Sequence, residues 1–439
     1  MVKIFAVILM KSLWKATAKM PEFPKLERDI ACDVLIIGGG IAGVLTAFFL
    51  KQNGVNYILV EQGKICDGTT ANTTAKITSQ HGLIYNDILQ SKGFEVAKLY
   101  LTANETALQS FKELAQKIEC DFEGKDNYVY SLNNRKKLED EVLALQKIGY
   151  NAELVNTNNL PIKTVGAVRF KNQAQFHPLK FLSEISKSLN IFENTKIIEV
   201  KENHASTNNA KIRFKKAIIT THFPFINKHG SYFFKLYQHR SYVTALESAE
   251  DLDGMYVDEA KEGLSFRNYK NLLLLGGGGH RTGKDNGNFE KIKKAVKEFY
   301  PHAIEKYFWA AQDCMSLDSV PYIGKYYENT PNLYTATGFN KWGMTGSMVA
   351  AKILCDKIIG KDSDFAHIFS PSRSIIKPQL FINSFETFTN FLKPTTRRCS
   401  HLGCALKFNK YEHSWDCACH GSRFDRNGEV INNPANRDL

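Results

Sequence analysis

A glycine triplet set between two apolar segments limits what this chain can fold into more than any other feature. Val34-Leu35-Ile36-Ile37 runs into Gly38-x-Gly40-x-x-Gly43, Ile41 to Gln52 reads as a helix closed by Asn53-Gly54, and Tyr57 to Val60 follows. Apolar runs without alternation are strands buried on both faces, so the segment predicts a parallel β-α-β unit. Each glycine has a task in such a unit. Gly38 permits the tight turn, Gly40 lets backbone approach a pyrophosphate, and Gly43 allows helix and strand to pack closely. The helix N-terminus supplies unpaired N–H groups to the phosphates. Glu61, ending the second strand, is placed to accept from ribose hydroxyls. The motif alone leaves FAD and NAD both open.

The rest of the chain extends this start. With 439 residues, 43% hydrophobic and 23% charged, it is long enough for two or three domains. Its longest purely apolar run, Ile4 to Met10, is far short of the ~20 residues a spanning helix needs, so no integral membrane segment is expected. Residues 1–28 read as an N-terminal extension and the location as cytoplasmic. The net charge of +12 favours acidic partners, anionic substrates or a membrane face. No basic run is interleaved with aromatics, which argues against nucleic acid. Helical periodicity covers 94–118 and 136–148. A strand, a hairpin and a buried strand are expected over 195–221. Leu272 to Leu275 meets four glycines, and Asn332 to Thr337 runs into Gly338 before a helix over 345–359. Residues 361–395, with Pro371, Pro378 and Pro394, read as a linker.

Nine cysteines are unevenly spread. Cys32, Cys66, Cys120, Cys314 and Cys355 stand singly, as in a reducing compartment, while four crowd into the last 41 residues. There Cys399-x-His401 is followed by Cys417-x-x-His420. Two thiolates and two imidazoles suit a [2Fe-2S] cluster, cysteines on one iron and histidines on the other. They also suit tetrahedral zinc, which stays open on the ligands alone.

Three stretches carry a family resemblance: Asp33 to Glu61, the segment Gly68-Thr69-Thr70-Ala71-Asn72-Thr73-Thr74-Ala75-Lys76, and Ala336 to Thr345. Together they resemble FAD-dependent oxidoreductases of the D-amino-acid-oxidase and glycine-oxidase superfamily. With Cys399-Ser400-His401-Leu402-Gly403-Cys404 and Cys417-Ala418-Cys419-His420-Gly421-Ser422, the chain resembles the bacterial branch bearing a C-terminal Rieske domain. The resemblance implies FAD and a [2Fe-2S] cluster as cofactors. It places Thr69, Thr70 and Thr74 beside the pyrophosphate and flavin. Gly338, Gly343, Met344 and Thr345 would lead into a helix whose N-terminus faces the flavin pyrimidine edge. It pairs Cys404 with Cys419 in a disulfide. Two departures stand out: Thr220-Thr221-His222 replaces the commoner Ala-Thr-Gly, and Ala418 replaces the usual proline.

The fold class implied is α/β, a Rossmann-like discontinuous FAD-binding domain with an inserted α+β substrate domain and a small all-β Rieske-type module. The FAD-binding parts are expected at 29–95, 165–222 and 271–360, the substrate domain at 96–164 and 223–270, and the module at 396–439. Relatives oxidise C–N bonds, so the expected substrate is a small amine or amino acid, with electrons passing singly through the cluster to an external acceptor. Arg240 and Arg267 are candidates for gripping a carboxylate, and His280, Lys341 and Trp342 for lining the flavin site. Cys314 is expected to be a buried structural cysteine. Two other readings stand beside this one: an oxidase using dioxygen directly with a structural tail, and an electron-transfer protein with no small amine substrate.

Overall fold

The computed structural model describes residues 11–226, 229–284, 289–395 and 397–439. Met1 to Met10, the first part of the expected extension, lie outside the described residues.

The apolar runs behave as their composition requires. Val34–Ile37 and Tyr57–Val60 are buried throughout and pair in parallel. They sit in a six-stranded sheet whose order is Tyr322–Lys325, Leu333–Thr337, Lys216–Ile219, Val34–Ile37, Tyr57–Val60 and Ile191–Phe192. Only the edge strand Tyr322–Lys325 is antiparallel to its neighbour. The helix Ile41–Gln52 packs against Gly343–Ile359, so two segments three hundred residues apart in sequence are joined at one face of the sheet.

A nine-stranded sheet forms the second body. Its order is Ile304–Ser316, Leu236–Glu247, Leu272–Arg281, Ser265–Tyr269, Met255–Asp258, Glu123–Ser131, Gly166–Gln175 and Lys76–Ile77, with Glu153–Val155 beside Gly166–Gln175. This moves the expected boundaries: Gly166–Gln175, Leu272–Arg281 and Ile304–Ser316 belong to this sheet and not to the nucleotide sheet. The reason is visible at the four glycines. The strand does not stop at them but runs through, because their neighbours occupy the space of the missing side chains. A Cβ on Gly276 would lie 2.7 Å from Ser265 Oγ, and one on Gly279 2.7 Å from His239 Cε1. The helices Phe94–Ala115 and Arg135–Lys147 pack outside, where the periodicity put them.

Two segments are more structured than their sequence indicated. In the N-terminal stretch, Ser12 caps a helix over Leu13–Thr17 that buries Leu13 and Trp14 in the main core. Trp14 Nε1 donates to Thr73 O at 2.7 Å, so residues 11–28 back the Thr-rich segment and are no loose extension. In the expected linker 361–395, Pro378–Leu392 is a helix. Its proline stands at the first helical position, where a missing N–H costs nothing and φ is already suitable. The C-terminal module is an antiparallel sheet of Leu406–Asn409, Ser414–Cys417, Arg423–Phe424 and Val430–Asn432.

A methyl group at Gly43 would lie 2.0 Å from Gly38 O, a backbone atom with no room to yield. Gly43→Ala is therefore expected to lower unfolding free energy by at least about 2 kcal/mol in urea titration. Gly343→Ala is the control: its Cβ meets nothing within 4 Å, and stability is expected to hold.

Candidate functional site

A cavity of about 580 Å³ lies where the two sheets and the C-terminal module meet. Gly38, Gly40, Glu61, Thr69, Thr70 and Thr74 line it from the nucleotide side, and Gly343 and Met344 from the late helix. Gly38 has φ +111°, and a Cβ there would strike Thr220 O at 2.7 Å. Thr220 Oγ1 donates back to Gly38 O at 2.8 Å and so fixes the turn. Thr70 Oγ1 accepts from Ile41 N–H at 3.1 Å at the helix start. The Glu61 carboxylate accepts from Gly39 N–H at 2.7 Å and Gly63 N–H at 3.0 Å. Burial raises its carboxyl above the ordinary value, and those amides oppose the rise. Gly43, Gly338 and Thr345 are structural supports outside the lining. Gly43 holds the helix against the turn, Gly338 takes φ +71° beneath Leu236, and Thr345 Oγ1 donates to Thr78 O at 3.0 Å.

The departure at Thr220-Thr221-His222 has a purpose. His222 adopts φ +66°, a conformation natural to glycine. Its Nε2 lies 3.1 Å from Gln238 Oε1, a contact glycine could not make.

Of the candidate substrate contacts, Lys341 and Trp342 line the cavity and Arg240, Arg267 and His280 do not. The Trp342 indole stacks on His81, with ring centroids 5.1 Å apart. Arg240 pairs with Glu412 of the C-terminal module in a bridge almost wholly buried on both sides. Arg267 is fully buried, donates to Thr74 O and Ala75 O at 2.8 Å each, and lies over the Trp14 ring. His280 is buried, with Nδ1 3.1 Å from Gly278 O, and stacks on Tyr242. Cys314 is buried as expected, and burial pushes its thiol up to about 12.

Sequence reasoning missed several lining residues. Lys76 is buried, and burial, then the Arg267 charge, lowers its ammonium to about 7. His81 Nδ1 lies 2.7 Å from Tyr100 Oη and its Nε2 2.9 Å from Thr345 Oγ1; burial lowers the imidazole to about 3, so it is neutral. Burial raises Asp313 to about 6, with Lys341 opposing. Lys76 ends the Thr-rich segment and His81 follows it closely, so proximity was the available signal. Asp313 had none.

The module closes one side of the cavity with Ile431, Asn432, Asn433, Ala435 and Asn436. Two glutamines tie it there. Thr69 Oγ1 donates to Gln312 O at 3.0 Å, and Gln312 Nε2 donates to Gly421 O at 2.9 Å and Gln238 Oε1 at 2.7 Å. Gln238 Nε2 then donates to Asn433 O at 2.7 Å. Arg281 adds bonds to Ala418 O at 2.9 Å and Cys419 O at 2.8 Å. Ala418 packs against Gly283, which takes φ +77°: a Cβ on Gly283 would lie 2.6 Å from Ala418 N.

Within the module, the Cys399 and Cys417 thiols are hydrogen-bonded to each other, and the His401 and His420 rings lie 5.0 Å apart at 86°. The four side chains thus sort into a thiol pair and an imidazole pair, an arrangement that would suit a cluster with unlike irons. Both ring nitrogens of His420 are buried without a side-chain partner, and a metal bond would satisfy one of them. Cys404 and Cys419 are joined by a disulfide, and their sulfurs lie within 4.8 Å of the Cys417 sulfur.

Comparison with known proteins agrees with this geometry. The FAD dependent oxidoreductase family matches residues 33–357, and the Rieske [2Fe-2S] domain matches residues 380–439. The chain belongs to the FAD dependent oxidoreductase family and carries a Rieske domain at its C-terminal end, so its cofactors are FAD and a [2Fe-2S] cluster. It is 33% identical to the Bacillus subtilis (strain 168) protein YhfW, named as a Rieske 2Fe-2S iron-sulfur protein, covering 99% of this chain and 98% of that one. A 41-residue stretch, 9% of this chain, is 49% identical to iron-sulfur subunit 2 of the cytochrome b6-f complex from Trichormus variabilis, covering 23% of that protein. The fold matches glycine oxidase from Geobacillus kaustophilus with a TM-score of 0.66 at 17% identity, over 78% of this chain and 99% of that one.

Burial pushes the Glu412 carboxyl up, but Arg240 and Arg423 more than offset this and hold it down to about 2. A depressed carboxyl stabilises above its ordinary value of 4.5, and that stability drains as pH falls from 4.5 toward 2. Module docking is expected to weaken over that window, read as faster pepsin cleavage between the helix and the module. Arg240→Ala is expected to cost about 3–5 kcal/mol in denaturant unfolding, because it leaves a buried carboxylate short of a partner.

Proposed function

We propose that this protein is a flavin dehydrogenase for a small amine or amino acid that passes its electrons singly to the Rieske cluster and then to an external acceptor. The observation that carries the reading is the shared wall. Residues 431–436 of the iron-sulfur module line the same cavity as the nucleotide glycines. When bound, FAD supplies a two-electron acceptor for the hydride beside the amine nitrogen, and the [2Fe-2S] cluster a one-electron outlet.

The chain's own residues set the conditions for that chemistry. Gly38, Gly40 and the Ile41 helix start hold the pyrophosphate, and Glu61 the ribose. Cys399 and Cys417 hold one iron, His401 and His420 the other. The Trp342–His81 stack gives the substrate a flat apolar wall, and neutral His81 adds no charge to it. Lys341, at the cavity surface, takes the place first assigned to Arg240 and Arg267 as the cation for a substrate carboxylate. Lys76, lowered to about 7, is the buried base that takes the ammonium proton, leaving the neutral amine from which hydride departs. The amino-acid chemistry of the glycine oxidase neighbour supports this substrate class. The five single cysteines, all buried and unpaired, support a cytoplasmic location.

The test is anaerobic. Purified protein is expected to hold about two irons and two labile sulfides per FAD. An amino-acid or amine panel should contain a compound that bleaches the flavin and then yields the reduced-cluster electron-spin signal. In Cys417→Ser the flavin should still bleach and the signal should vanish. Stoichiometric peroxide under dioxygen would instead make the protein a direct oxidase. Failure of every amine, with reduction by a partner reductase, would make it an electron carrier.

Asp313 adds a pH dependence. Its carboxyl, raised to about 6, is neutral below that pH and negative above it. Affinity for an anionic substrate is expected to fall several-fold as pH rises through about 6, and Asp313→Asn should remove the inflection in a flavin-absorbance titration.

A further inference from the structure

The helix Pro378–Leu392 is turned inside out. Its polar side faces the protein: Asn383, the one buried residue of the helix, accepts from Arg281 Nη1 at 2.8 Å. Glu386, the one acidic residue of the helix, is turned inward onto Lys284 at 2.5 Å. Its apolar side faces outward. Phe381, Phe385, Phe388 and Leu392 recur at helical spacing and are each 62–67% exposed, and Ile376 just before them is 74% exposed. Water-facing aromatic surface on this scale marks an interaction site.

From this arrangement we infer that the helix is a docking face for the surface of an anionic lipid bilayer. The rim is basic: Lys377 and Lys393 at the two ends of the helix and Arg398 beside its C-terminal end flank the phenylalanines, and no exposed acidic group lies on the helix. Phenylalanine and leucine on one side with Lys and Arg at the borders is the pattern of a helix lying in the headgroup plane. At 15 residues the helix is too short to span, so it lies on the bilayer and does not cross it. A second copy is a poorer occupant, because a two-fold contact through this face would bring two basic rims together.

The helix is tied to the cluster loop. Ala405 N–H donates to Asn390 O at 2.9 Å, and Arg398 Nη1 donates to Phe391 O at 3.0 Å and Gly403 O at 2.9 Å. Leu402, beside the ligand His401, is exposed on that loop. Docking therefore sets the cluster edge at the lipid surface. If electrons leave through the cluster, which rests on the function proposed above, the acceptor is a lipid-dissolved or membrane-bound redox carrier; the docking itself does not rest on that reading.

The experiment is flotation of the purified holoprotein with vesicles of phosphatidylglycerol and phosphatidylethanolamine, against vesicles of phosphatidylcholine alone. At least about tenfold more protein should float with the anionic vesicles, and less as salt rises. Phe385→Asp with Phe388→Asp, and separately Lys377→Glu with Lys393→Glu, should each lower flotation at least about tenfold. Both variants should keep the wild-type flavin spectrum and elution volume. The inference is overturned if the wild type does not float, or if either variant floats like the wild type. It is equally overturned if the wild type is a dimer that the phenylalanine variant splits, since a second copy would then cover the face.

Discussion

The Glu412 carboxylate lies between two guanidiniums, Arg240 from the nine-stranded sheet and Arg423 from its own module, and Tyr242 donates to it from the cavity wall. Asp416 completes the cluster on the other side of Arg423 at 2.9 Å. A four-stranded module of this size has too little interior to hold its shape unaided. Its small core of Cys399, Cys404, Leu406, Cys417, Cys419, Phe424 and Ala435 consists largely of ligand and disulfide cysteines. The module therefore takes its position from the larger body, and the buried charge cluster fixes the register. Such a cluster adds little net stability over an apolar contact, but it tolerates no sliding. Everything that the module contributes to the cavity, from Ile431 to Asn436, depends on that register.

Much of the nucleotide half was legible in the sequence because its determinants are local. The helix Ile41–Gln52 and the strands Val34–Ile37 and Tyr57–Val60 follow from apolar runs and glycines within one short segment. The Rieske domain was legible for a similar reason, since the residue types and spacing of its two cysteine–histidine boxes carry the resemblance. The substrate contacts were not. Arg240 and Arg267 looked equally suited to a carboxylate, and only tertiary packing shows one spent on Glu412 and the other on two backbone carbonyls. The four glycines left the course of their strand open: glycine marks both chain reversals and close strand approach, and sequence does not separate the two. Prolines did the same at residue 378, where one starts a helix.

The cavity has three owners, and this shapes what a ligand meets there. The nucleotide sheet offers backbone donors and hydroxyls, and the nine-stranded sheet offers Lys76, Tyr242 and Asp313. The module offers the short polar side chains of Asn432, Asn433 and Asn436. Charge is concentrated on the first two, and titration near neutrality on Lys76 and Asp313. Two neutral amides, Gln238 and Gln312, join the module to the flavin side alongside the charged contacts of Arg240 and Arg281.

His222 shows how tightly these parts are bound into one unit. A non-glycine residue in the left-handed region carries a backbone cost of about 1 kcal/mol, yet here it holds φ +66° while its ring reaches Gln238. Glycine would relax the backbone and sever the ring contact, so the same exchange is favourable or unfavourable according to what occupies position 238. The two positions are thus energetically coupled across the joint between two sheets. A homologue with glycine at this position has a different set of permitted partners there, and single-site replacements moved between such proteins will not add.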